Sequence, residues 1–119
     1  MAQNFVPGDY LVFQLESGYG LLRVLGVEES ERGAIWHLLA YEELFPDVEM
    51  AEAALVEPAR LHARIAHMAL TERAFERTPA ALLGNRPVAE DELKGYREWQ
   101  AAGSREVSDR SALLMLGIR

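Results

Sequence analysis

No cysteine occurs in this chain, which excludes disulfide staples, thiolate zinc sites, iron–sulfur clusters and thiol nucleophiles together. Long apolar runs are also missing. None approaches the roughly 20 residues that a bilayer-spanning helix needs, and the opening MAQNFVPGD has neither the basic segment nor the apolar stretch of an export signal. The expectation is an unexported, cytoplasmic protein. Cations are scarce, since Lys94 is the single lysine and 12 Lys and Arg face 19 Asp and Glu, for a net charge of −7. Such a balance repels phosphate backbones and gains nothing from counterion release, so nucleic acid is not an expected partner.

What is present is unevenly placed. Residues 28–57 hold Glu28, Glu29, Glu31, Glu42, Glu43, Asp47, Glu49, Glu52 and Glu57 against Arg32 alone, whereas residues 58–77 carry Arg60, Arg64, Arg73 and Arg77 against Glu72 and Glu76. An acidic block of this kind suits a basic protein partner. Half of the residues are apolar, enough for one domain to bury a core. The expected organisation is a single domain over 1–119, with a barrel-like sheet in 7–68 and a helical part in 69–119.

The stretch Pro7 to Tyr41 reads as three consecutive strands. Tyr10 to Glu16 alternates, with Leu11, Phe13 and Leu15 on one face. Leu21 to Val27 and Ala34 to Tyr41 are apolar on both faces, so that sheet has to be covered twice, by curling, by helices or by a second copy of the chain. Ser17-Gly18-Tyr19-Gly20 reads as a hairpin turn rather than a phosphate loop, because it opens no helix N-terminus. Asp47 is a candidate N-cap for a helix over 48–56. Residues 60–68 alternate as a strand, although their alanines and the spacing of Leu61, Ile65 and Met68 also fit a helix. Thr71 suits the cap of a short turn, 82–87 reads as loop, and 89–102 has the carboxylates and charge pairs of a helix. Residues 109–116 end the chain with a short helix or an extended apolar tail.

Candidate chemistry is thin. His62 and His67, five apart, share a face of neither a strand nor a helix, so no metal site or other cofactor is expected. Ser17, Ser30, Ser104, Ser108 and Ser111 fall in turns or caps without a nucleophile motif. Glu28/Glu29 and Glu42/Glu43 lie at strand ends where water holds both members charged.

The opening PGDYLVFQLESGYGLLRVLG, with its Gly-Asp turn, alternating strand, Gly-x-Gly hairpin and arginine in the second strand, resembles the start of a small bacterial immunity family, the twenty-sixth type among those that accompany polymorphic toxins. The resemblance implies an SH3-like barrel that neutralises a toxin by binding it, without catalysis. The later HMALTERAFERTPAALLGNRPVAEDELKGYREW is similar to uncharacterised bacterial proteins. The expected fold is α+β, with a small curved antiparallel sheet of about four strands, an SH3-like barrel being one form of it, and C-terminal helices packed on it. The leading expectation for function is a non-enzymatic protein-binding domain that meets a basic partner, such as a toxin, through Glu28, Glu29, Glu31, Tyr41, Glu42, Glu43, Phe45 and Asp47. The alternatives are a small-molecule or hydrolytic pocket between sheet and helix lined by His37, His67 and Trp99, and a structural homodimer.

Overall fold

Alternating side chains place residues 9–45 in three antiparallel strands, β1 (Asp9–Leu15), β2 (Gly18–Ser30) and β3 (Gly33–Phe45). The computed structural model describes residues 3–103 and 105–117; Ser104 and the chain ends lie outside them. Helix α1 (Val48–Ala54) starts where Asp47 accepts a hydrogen bond from the Met50 N–H at 2.8 Å, and a 3₁₀ turn follows at Pro58–Arg60. Strand β4 (Ala63–Thr71) pairs with β3, so the alternating reading of this segment prevails over the helical one. Thr71 then caps α2 (Glu72–Glu76) by accepting from the Ala74 N–H.

The sheet has five strands, not four. Residues 80–85, expected partly as loop, form β5 (Ala80–Asn85) and pair with the free edge of β1, giving the order β4-β3-β2-β1-β5. A short edge strand with Leu82 largely exposed carries too weak an alternation to announce itself. The sheet therefore extends beyond residue 68 and draws on the part expected to be helical. It remains open among the described residues, with β4 and β5 as its two edges.

Both faces are covered from within the chain. On one, Leu11, Phe13, Leu22, Val24, Trp36 and Leu38 pack under Phe75 of α2 and under Ala112 of α4 (Ala112–Met115). On the other, Tyr10, Val12, Leu21, Leu25, Leu39 and Tyr41 lie under Ala51 of α1 and Leu55 at its C-cap, and under Tyr96 of α3 (Lys94–Ala101). The double cover that two apolar faces require comes from these helices. Helix α3 is shorter than the expected 89–102. Residues 89–93 instead make two tight turns, Glu92 N–H to Ala89 C=O and Leu93 N–H to Glu90 C=O, which aim Glu92 inward at the buried Arg23.

Candidate functional site

The structure divides the acidic block. Glu28 and Glu29 stand where β2 enters its hairpin with β3, and Glu31 is in the turn. Glu42, Glu43, Phe45 and Asp47 belong to the far end of the same ribbon, where Tyr19 pairs with Phe45 and Gly20 with Leu44. From Gly20 to Glu29 the ribbon runs about 30 Å at ~3.3 Å per residue. The acidic block, continuous in sequence, is thus divided in space between two separate acidic ends. Tyr41 is buried on the second sheet face and is no surface anchor. Phe45 is half-buried against the second core.

At the far end, charge and apolar surface coincide. Residues 33–59 contain no lysine or arginine. Among them Leu44, Met50 and Val56 are 54%, 53% and 81% exposed, and Val48 joins them at the helix start. Glu42, Asp47, Glu49, Glu52 and Glu57 are exposed in the same segment. Helix α1 buries little besides Ala51, so its remaining faces stay outward. Glu43 is partly engaged: it accepts from the His62 backbone N–H at 2.8 Å and meets His62 Nδ1 at 2.6 Å. Those hydrogen bonds hold the Glu43 carboxyl below its usual range, against a desolvation that works the other way, and they raise His62.

The histidines expected of the alternative pocket do converge, in a packed cluster. His37 on β3 is fully buried, and its Nδ1 lies 2.9 Å from Nε2 of His67 on β4. His37 Nε2 lies 2.9 Å from Glu28 Oε1, close enough for an ion pair though short of linear hydrogen-bond geometry. Tyr96 of α3 donates its hydroxyl to the same Glu28 oxygen at 3.1 Å and stacks on His37 with ring centroids 4.1 Å apart. Trp99 closes the group edge-on at 4.7 Å from the His37 ring, its indole N–H donated to Glu106 C=O. Glu28, expected as a solvated partner contact, is thus half-buried inside this cluster.

With the His37 Nε2–H turned toward Glu28 Oε1, His37 Nδ1 is left to accept from His67 Nε2–H, both rings neutral. Burial lowers His37, with Glu28 pulling the other way, and burial followed by the charge of His37 lowers His67 to about 4. Burial and the bond to Glu28 push the Tyr96 phenol up to about 12. The chain of groups fastens α3 to the sheet. The space around it is filled: a Cβ on Gly26 would meet the Tyr96 ring at 2.8 Å, and one on Gly95 would meet the His67 Cβ at 3.0 Å. Gly95, unfavourable inside a helix, is there for close approach to β4. Gly26→Ala is expected to cost about 1–3 kcal/mol in urea unfolding. In a Tyr96→Ala background the same change should cost distinctly less, because the obstructing ring is gone.

Sequence reasoning named His37, His67 and Trp99 together but missed Tyr96 and Glu28. No residue spacing links positions 28, 37, 67 and 96; only the sheet order does. Among the described residues no three His, Asp or Glu side chains are grouped to hold a metal ion. No helix is long and apolar enough to cross a membrane. Comparison with protein families, with curated proteins and with solved structures finds no match for this chain.

Proposed function

We propose that the protein is a non-catalytic binding domain of the cytoplasm that engages a basic protein partner through the surface formed by the end of β3 and by α1. The observation that carries this reading is the coincidence of Leu44, Met50 and Val56, all more than half exposed, with an exposed set of carboxylates in a segment free of cations. Apolar centres surrounded by one sign of charge are what a protein interface combines, the former for affinity and the latter for steering and partner choice. The resemblance of residues 7–27 to an immunity family, of which an SH3-like sheet is the expected core, gives the partner a specific form, a basic toxin. Nucleic acid and membrane are not partners on this reading.

The test is co-expression with any toxin found encoded beside this gene. Met50→Ala with Val56→Ser should abolish protection and co-purification, and Glu42, Glu49, Glu52 and Glu57 changed to glutamine should slow association at low salt and leave it less dependent on salt. Protection that survives both sets removes this surface from the proposal. A gene neighbourhood without a toxin removes the immunity form and leaves the binding surface to be tested on other basic proteins.

A further inference from the structure

The second sheet face is left open at one place. Between the 3₁₀ turn Pro58–Arg60 and the turns at 89–93, a cleft of about 440 Å³ reaches the strands. Tyr10, Leu39 and Tyr41 line it from β1 and β3, Leu61 from one side, and Asp91 and Glu92 from the other. It shares no lining residue with the histidine cluster, and it falls within the ~300–1,000 Å³ typical of small-molecule sites.

Two features give the cleft a chemical preference. Tyr10 and Tyr41 are 2% and 8% exposed, their rings stacked with centroids 6.2 Å apart. Burial and then the neighbouring Tyr10 push the Tyr41 phenol well above its ordinary range, so it stays neutral. Neither hydroxyl is sealed from solvent without a partner among the described residues, and both side chains line the cleft. A guest there competes with water for the phenol oxygens, each of which can accept.

The second feature is charge. Arg23 lies against the Tyr10 ring at 4.1 Å, yet it offers nothing to an anion. Its Nε bonds Glu92, one terminal nitrogen bonds the carbonyls of Gly8 and Arg86, and the other bonds Pro87 C=O and the second Glu92 oxygen. All five guanidinium donors are used. Glu92 balances that charge, which leaves the exposed Asp91 as the unmatched charge in the lining.

We infer that this cleft binds a small organic cation, an amine or amidine carried on a flat apolar body. The body lies along Leu39 and Leu61, N–H groups donate to the phenol oxygens, and the charge faces Asp91. An anion of the same shape meets carboxylates and no free cation. This inference is independent of the partner surface, so either can fail alone.

Calorimetric titration of the full chain with benzamidine and tyramine, against benzoate and benzyl alcohol as shape-matched controls, tests it. The two cations should bind with Kd below about 1 mM and raise the melting temperature with concentration. Benzoate should not bind. Tyr41→Phe keeps the ring and should weaken cation binding about tenfold, the size of one hydrogen bond. Asp91→Asn, on the surface, should weaken it and reduce its salt dependence. Absence of cation binding, equal binding of benzoate, or affinities unchanged in both variants would each overturn the inference. So would binding of an arginine-rich peptide without binding of the free cations, which would make the cleft part of a protein interface.

Discussion

Replacing Arg23 with methionine should destabilise the protein by about 3–5 kcal/mol in urea unfolding, the range for breaking a buried ion pair from one side. Arg23 is 1% exposed in the centre of β2. Its removal leaves the carbonyls of Arg86 and Pro87 without that donor, and leaves the Gly8 carbonyl and the Glu92 carboxylate with only the N–H groups of Arg86 and Ala89. Methionine nearly matches the length of the stem, so the loss is mainly electrostatic and of hydrogen bonds rather than of volume. Burial alone would raise the Glu92 carboxyl, yet the Arg23 hydrogen bonds and charge hold it below its usual range. In the variant that restraint is gone, and the carboxyl should titrate at higher pH. The pairing of Arg23→Met with Glu92→Gln separates the terms: it removes the stranded charge and should recover part of the loss. A single-variant loss under about 1 kcal/mol would mean that water replaces the guanidinium and that the pair is not sealed.

This arginine also shows how far local pattern reaches. The alternation of Tyr10 to Glu16 and the doubly apolar strands after it disclose three strands and their sequence neighbours, because period two is a local property. The same pattern marks Arg23 as an interruption of an apolar strand and nothing more. Its partners come from residue 8 and from residues 86–92, which meet it only after β5 has crossed to the free edge of β1. Strand β5 was illegible for a related reason: an edge strand with outward leucine needs no strict alternation. The Asp47 and Thr71 caps were readable, since each acts on a backbone N–H three residues on. The histidine cluster was half readable. Its members could be named, but their distances depend on the β2-β3-β4 register and on two glycines that let α3 come close. The acidic block misled because proximity in sequence is not proximity in space along an extended ribbon.

Acidification from pH 6.5 towards pH 4 should weaken the fold through the same cluster, and before most carboxylates begin to titrate. In the unfolded chain both histidines take up protons near 6.5. In the folded chain burial lowers both, His67 to about 4, so over this window the unfolded state binds more protons. Stability is therefore level above pH 6.5 and falls below it, by up to about 1.4 kcal/mol per pH unit for each histidine that stays neutral when folded. His62 works in the opposite sense, because Glu43 raises it, and its contribution is complete below 6.5. Between pH 6.5 and about 5 the decline thus belongs to the buried pair, and below that the lowered Glu43 and Glu92 carboxyls add to it. Two imidazolium rings whose facing nitrogens are 2.9 Å apart cannot both persist, and Glu28, already shared with Tyr96, can compensate one of them at most. Helix α3, which buries only Tyr96 among its own residues, is the element expected to part from the sheet first. Urea midpoints at pH 7.5, 6, 5 and 4.5, followed by tryptophan fluorescence, measure the slope, and His67→Gln should flatten it. A wild-type slope that is flat between pH 6.5 and 5, or one that His67→Gln leaves unchanged, would show that this pair is not what couples the helix to protonation.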